Sequence, residues 1–410
     1  MSFKINSKEE LESFVTQSWN TINQFIDSKM DLLPTPIYSS VDIRESKTKF
    51  APVDMNMYPA GFNNLCQLDL DAASRLFKKA IKSVRKDAQK IAIIPESHTK
   101  NLFYLDHLGY LKKSIEDSGF EVVFVSLDDL LFPENAKKIE LISHSQFDIT
   151  FHRGSIENGN LMCESTVIDL AILNNDQSDP LEVPWSDIST PVVPTPFIGW
   201  YRRQKSEHFR NYEVVIDEFS KEFEINPDLL MARFTAIENV DFSSKNGLDD
   251  VGAAVDQLKE KIDPEAKIFV KASQGTYGMG ISVVSQGSEI AEMNRKNRDK
   301  MNIGKNKIKF TSVVVQEGVE SILRYDDMAA EVAIYLVSGK PTGGFVRANA
   351  QKDSKQNLNS RGMVFKKYCI SEIRENNDSQ SKEAVYSVIA RLATMAGALE
   401  IKDVFKEKGL

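Results

Sequence analysis

The sequence predicts an α/β protein whose C-terminal half is α+β. Three observations carry this. Short apolar runs alternate with a helical pattern between residues 91 and 151, as in a parallel α/β layer. Four β-rich runs crowd residues 267–337, with a glycine-rich loop between the first two. Residues 381–400 then close the chain with a helical pattern.

The elements follow in order. Leu11, Phe14, Val15, Ile22, Phe25 and Ile26 recur at helical spacing, so residues 7–30 read as an amphipathic helix, with Ser7 and Glu10 at capping-box spacing. Residues 31–68 are broken by Pro34, Pro36, Pro52, Pro59 and Gly61 and read as loop-rich. A helix is expected over 69–89. Then come a strand at Ile91–Ile94, a helix from Leu102 stopping at Gly119, a strand at Val122–Val125 and another at Phe147–Phe151. Five prolines mark 174–205 as a long ordered loop, a setting that is often functional. Beyond residue 214 lie a helix at Val251–Lys261 and strands at Lys267–Ala272, Ile281–Val284, Thr311–Gln316 and Ala330–Val337. The expected divisions are 1–90 (helical and loop-rich), 91–213 (an α/β layer) and 214–410 (the β-rich region with the glycine loop).

Composition excludes more than it assigns. The 410 residues carry 51 basic and 59 acidic side chains, a net charge of −8, so a general nucleic-acid or anionic-membrane binder is not expected. The run Arg295–Lys309, with seven basic residues and one acid, reads as a solvated loop. No signal peptide or apolar span of membrane length is evident, so a soluble cytoplasmic protein is expected. Cys66, Cys163 and Cys369 are widely spaced and odd in number, which argues against a disulfide scaffold and for inert thiols. The five histidines make no zinc-hydrolase spacing.

The glycine loop is the most informative segment. FVKASQGTYGMGISVV carries Gly275, Gly278 and Gly280 in the order GxxGxG. It opens onto a strand, not a helix, so it is neither a dinucleotide fingerprint nor a Walker loop. A strand–loop–strand flap lets backbone N–H groups fold over a triphosphate, with Lys271 positioned for phosphate oxygens. The competing reading is a glycine-rich hairpin with a surface lysine. The run Val313–Val319 ends in Gln316, Glu317 and Gly318, a strand end able to meet an adenine edge and ribose hydroxyls; its bland alternative is a core strand ending in a turn.

Taken in order, FVKAxxGTYGMG, VVVQEGV, AEVAIYLVSG and NLNSRG resemble the ATP-grasp superfamily, whose folds clamp ATP between two α+β subdomains. KFAPVDMNMYPAGFNNL (49–65) and TPFIGWYRRQKSEHF (195–209) are similar to signatures of the proteobacterial-type glutamate–cysteine ligase family, and the match runs over roughly residues 40–400. The resemblance implies ATP- and Mg²⁺-dependent joining of the glutamate γ-carboxylate to the cysteine amine through an acyl phosphate. That chemistry needs positioning and charge neutralisation more than a protein nucleophile.

The inventory suits it. Lys271, Gly275, Tyr277, Gly278, Gly280, Gln316, Glu317, Gly318 and Val319 are the expected ATP-binding set. Arg347 is a candidate to stabilise the transferring phosphoryl group, with a surface arginine as the alternative. Arg44, Arg202, Arg203 and Lys205 are candidates for the substrates' α-carboxylates, which arginine binds bidentately. Asp54, Asn56, Asn63 and Asn64 are candidates for the ammonium and amide contacts, or else turn residues. Glu96, His98 and Thr99 follow a strand at the usual crevice of α/β sheets. The metal is the gap. The resemblance implies an acid-x-Asn on a late strand, and none follows the arginine-bearing segment, so Glu331 and Asn357 stand in as expected Mg²⁺ ligands. Small-molecule substrates are the expected partners, and a homo-oligomer is left open. Alternatives are another ATP-dependent carboxylate–amine ligase and a non-catalytic nucleotide-binding protein.

Overall fold

The computed structural model describes residues 3–274, 280–302, 311–360, 362–369 and 381–409. Three sheets organise it. The first has a parallel core ordered Val192–Val193, Leu170–Asn174, Lys90–Pro95, Glu121–Ser126, Asp148–Glu157, extended by antiparallel strands at its far end. The expected alternation of strand and helix produces this layer: Ile91, Ile93, Phe124 and Ile172 bury one face beneath the helices Gln67–Val84 and Leu102–Glu116.

The second sheet is antiparallel, ordered Phe234–Glu238, Ser312–Glu317, Ile268–Ala272, Ile281–Val284. It holds three of the four β-rich runs, and the Ala272 N–H closes the base of the glycine hairpin on Gly280 O at 2.7 Å. Helix Lys245–Lys259 covers it through Leu248, Val251, Val255 and Leu258.

The third sheet regroups the chain. Its order is Met363–Tyr368, Lys340–Asn349, Met328–Val337, Tyr38–Glu45, Phe50–Asn56. The last two strands come from the segment expected to be loop. Pro52 hid them; it is tolerated because Phe50–Asn56 is an edge strand, where a missing N–H breaks no inner ladder. At the level of sheets, residues 38–56 therefore belong with the C-terminal half and not with a separate front region. Lys340–Asn349 was hidden by Pro341, Gly343 and Gly344. Gly343 is needed because a Cβ there would stand 2.3 Å from the Asp69 side chain.

The closing helix runs Ser381–Lys408, and Tyr386, Ile389, Leu392, Ala393 and Ala396 are buried in the main core with Leu11, Ile22, Ile26 and Phe50. By length and composition this helix is apolar enough to cross a membrane, but 89% of its most apolar window is buried inside the protein. The expected N-terminal helix breaks at Ser18 into Lys8–Gln17 and Trp19–Met30, with the Ser7–Glu10 capping box formed. The basic run is not wholly loop: Arg295–Asn302 is helical, and 303–309 lie outside the described residues.

The cysteine expectation needs correction. Cys66 and Cys369 form a disulfide with Cα atoms 5.8 Å apart, 303 residues apart in sequence, and Cys163 alone is a buried free thiol. Sequence spacing hid the pair, because only the third sheet brings the end of Met363–Tyr368 to the start of Gln67–Val84.

Candidate active site

The second and third sheets face each other across a cleft of about 1000 Å³, including its open mouth. Lys271, Phe269 and Gln316 line it from one sheet, and Asp42, Arg44, Asp54, Asn56 and Glu331 from the other. Asp42 and Asp54 are cross-strand partners, and Asp54 and Asn56 alternate along one strand, so these side chains share one face. The loop 174–205 adds Asp176 and Trp200, and Lys205 enters from the first turn of helix Lys205–Phe223. The parallel layer contributes at the carboxyl ends of its strands, where Asp176 N–H donates to Glu96 Oε1 at 2.6 Å.

Lys271 is the central cation. Its Nζ donates to Gln316 Oε1 at 2.8 Å and Val53 O at 3.1 Å, both neutral oxygens. Burial, reinforced by the Lys205 charge, lowers its pKa to about 7. A buried ammonium with such partners is poised for an anion. Beside it the Gln316 Nε2 is buried with no hydrogen-bond partner among the described residues, which fits a ligand carrying acceptors. Both observations suit a nucleotide.

The acidic groups are mostly engaged. Arg347 donates to Asp42 Oδ2 at 2.7 Å and Glu331 Oε1 at 2.9 Å, and Arg44 Nε to Glu331 Oε2 at 2.8 Å. Burial raises the pKa of Asp42, while the two guanidiniums outweigh burial and lower that of Glu331. Lys49 Nζ meets both oxygens of Glu317 at 2.9 and 2.8 Å. Lys205 Nζ meets Asp54 Oδ1 at 2.6 Å; burial opposes ionisation there, but Lys205, Lys271 and Arg203 hold the carboxyl below its ordinary range.

The cleft thus gathers Arg44, Asp54, Asn56, Lys205, Lys271, Gln316, Glu317, Val319, Glu331 and Asn357 from the expected set. Gly280 closes the hairpin with φ +65°, a left-handed conformation that favours glycine. Gly318 lies beside the cleft with its N–H on Lys267 O, where a Cβ would stand 2.6 Å from that oxygen. Gly275, Tyr277 and Gly278 lie outside the described residues.

Other candidates sit elsewhere. Arg347 stands behind the lining, clasping Asp42 and Glu331. Arg203 is buried against Glu400 Oε2 (2.8 Å) and Met55 O (2.7 Å), so it braces the strand carrying Asp54 and does not face the cleft. Arg202 pairs with Glu407 at the surface. Asn63 and Asn64 form the 3₁₀ turn Phe62–Asn64, apart from the lining residues. Glu331 is a poor metal ligand as placed, since each oxygen already receives an arginine. Asn357 Oδ1 accepts the Asn359 N–H at 3.0 Å, as turn asparagines do. Among the described residues, the one group of three thiol, carboxylate or imidazole ligand atoms within 4.8 Å is Cys66, Asp69 and Cys369, whose sulfurs are bonded to each other.

Asp42, Asp176, Trp200, Phe269 and Asn359 line the cleft without having been expected there. Asp42 had a signal in its alternation with Arg44, which only a strand assignment for 38–45 would have exposed.

A glycine hairpin with a buried lysine, facing a second antiparallel sheet across a cleft lined by interleaved basic and acidic side chains and preceded by an α/β layer, defines an ATP-grasp-like ligase. A model of the glutamate–cysteine ligase family matches residues 12–401, and the chain belongs to that family of ATP-dependent enzymes forming γ-glutamylcysteine. It is similar to a solved structure designated a candidate gamma-glutamylcysteine synthetase from Methylobacillus flagellatus KT, with 30% identity, TM-score 0.85 and 96% of each chain covered. A glutathione synthetase-like effector from Globodera pallida aligns at TM-score 0.40 and 10% identity, over 82% of this chain and 76% of that one. No curated protein matches.

Proposed function

We propose that this cleft is where glutamate, cysteine and ATP meet, and that its residues divide the work as follows. The observation that carries the reading is the convergence of Lys271 and Gln316 from one sheet with Arg44, Asp54, Asn56 and Lys205 from outside it. Lys271 and the glycine hairpin take the phosphates. The end of strand Ser312–Glu317, with Gln316 and Val319, takes the base and ribose. Glu317 acts through Lys49, which holds its carboxylate. Arg44 and Lys205 receive substrate carboxylates, and Lys205 exchanges Asp54 for its new partner as it does so. Arg347 holds Asp42 and Glu331 in place and sets the field at the transferring phosphoryl group.

With those cations the γ-carboxylate of glutamate attacks the terminal phosphorus of ATP, giving an acyl phosphate and ADP. The cysteine amine then displaces phosphate. The protein's contribution is to hold the reacting atoms in line, neutralise phosphate charge and exclude water. The ATP-grasp type generally uses Mg²⁺, which neutralises phosphate charge when bound.

The test is ADP and phosphate release measured with glutamate, with and without cysteine, alongside detection of the γ-glutamyl product. Turnover that depends on cysteine and yields γ-glutamylcysteine supports the reading. Turnover with another acceptor and none with cysteine would reassign the substrate. ATP binding without turnover under any substrate pair would reduce the protein to a nucleotide binder.

A further inference from the structure

The oxygen atoms of the cleft separate by what already holds them, and this bears on the divalent cation. Magnesium takes oxygen ligands, typically one or two carboxylates with phosphates and waters completing its shell. Asp42 gives both oxygens to Arg347, at 2.7 and 3.3 Å. Glu331 gives one to Arg347 and one to Arg44. Glu317 is spanned by Lys49 and also accepts the Arg233 N–H at 2.9 Å. A cation placed on any of these would sit against guanidinium or ammonium groups that already engage both carboxylate oxygens.

Asp54 differs. Its Oδ1 accepts from Lys205, its Oδ2 has no hydrogen-bond partner among the described residues, and its side chain is 40% exposed to the cleft. Asn56 lies two residues further on the same edge strand, so the two side chains face the same way. The Asn56 Oδ1 accepts the Tyr58 N–H at 2.9 Å and keeps a second lone pair, as the Asn357 Oδ1 does with the Asn359 N–H; what sets Asn56 apart is that it shares a strand face with the Asp54 carboxylate. The phosphate end of the cleft is also next to them. Lys271 Nζ is bonded to the carbonyl of Val53, the residue directly before Asp54. Independently, Gln316, which lines the same cleft and is 1% exposed, carries a buried Nε2 with no partner among the described residues, which calls for an acceptor-bearing ligand there.

Resting on the nucleotide reading above, we infer that Asp54 and Asn56, on the edge strand contributed by the N-terminal part of the chain, hold the divalent cation of the ATP complex, in place of Glu331 and Asn357. The role of this pair is then with the metal and not with a substrate ammonium.

The experiment uses the full chain, Mn²⁺ as the probe and a non-hydrolysable ATP analogue. Free Mn²⁺ is read by electron paramagnetic resonance, and analogue binding in chelator by calorimetry. Asp54→Asn and Asn56→Ala are expected to weaken Mn²⁺ uptake by about tenfold or more, a loss even supporting residues of metal sites can produce. Asn56→Asp, which supplies a carboxylate oxygen at the same point, retains Mn²⁺ and shows that the strand tolerates substitution. Asn357→Ala leaves Mn²⁺ uptake unchanged. Metal-free analogue affinity is unchanged in Asn56→Ala, which separates metal loss from nucleotide loss. The inference is overturned if both variants bind Mn²⁺ as the parent does, or if Asn357→Ala is the one that loses it. If the parent binds neither analogue nor Mn²⁺, the nucleotide reading falls and this inference with it.

Discussion

Lys271 carries its charge in a place that taxes it. Burial, with Lys205 nearby, holds its pKa at about 7, against an ordinary lysine value of 10.5. The folded, ligand-free chain thus binds fewer protons than the unfolded chain between those values. The cost of the buried ammonium is full below pH ~7 and is relieved as pH rises toward 10.5. Phosphate reverses the preference by favouring the charged form. Nucleotide binding near pH 8 is therefore expected to take up a proton, and affinity to fall as pH rises above about 7. Calorimetry in buffers of different ionisation heat reads the uptake directly; binding without proton uptake would sink the assignment. Lys271→Met should abolish that uptake and lower turnover by roughly 10²–10³, the cost of removing one transition-state donor. Arg203 and Arg202 make the opposite pair. Arg203 is buried with Glu400, whose carboxyl sits at about pKa 2 because Arg203 and His208 outweigh the burial that opposes ionisation. That contribution is present above pH ~4.5 and is lost as pH falls toward 2. Arg203→Ala should cost about 3–5 kcal/mol in denaturant unfolding, and Arg202→Ala, at a half-buried surface pair, no more than about 1 kcal/mol. Equal losses would contradict this division between brace and surface pair.

Elements decide how these residues meet. The disulfide between Cys66, at the N-cap of helix Gln67–Val84, and Cys369, just past strand Met363–Tyr368, ties the outer edge of the third sheet to the helix that packs on it. Cys66→Ser should lower unfolding stability by about 2–4 kcal/mol under oxidising conditions and by nothing further in reductant. Equal stability of parent and variant in oxidant would show that the bond does not form. Strands with strong local patterns were legible in the sequence: Ile268–Ala272, Ile281–Val284 and Ser312–Glu317 are apolar or alternating and bounded by glycine. Tyr38–Glu45 and Phe50–Asn56 were not, because Pro52 and a dense polar face masked them, and that polar face is the cleft. The site was half legible for the same reason. Lys271, Gln316 and Lys205 stood in motifs, whereas Asp42 became a cleft residue only once its strand was known to pair with Met328–Val337. Arg203 was read as a substrate cation because nothing near it in sequence announces Glu400, 197 residues away.

At the scale of the molecule, the front and back of the chain build one clamp. The strand Tyr38–Glu45 pairs along Met328–Val337 from Tyr38↔Val337 to Ile43↔Val332, and Arg44 reaches across to Glu331. Its partner strand Phe50–Asn56 supplies Asp54 and Asn56, while the closing helix packs Tyr386 edge-on against Phe50 at 5.5 Å between ring centroids. Residues 214–410 alone would leave Met328–Val337 with an open apolar edge, and Glu331 and the closing helix without their N-terminal partners. An open edge of that kind invites aggregation, and Glu331 would lose one of its two arginines. A fragment of residues 214–410 is therefore expected to aggregate or remain unfolded by circular dichroism and to bind no ATP analogue. Adding residues 1–68 as a separate chain should restore folded, soluble material if strand pairing is what is missing. A monomeric, cooperatively folding 214–410 fragment that binds the analogue would instead show that the nucleotide-binding half stands by itself and that the N-terminal strands serve only the amino-acid substrates.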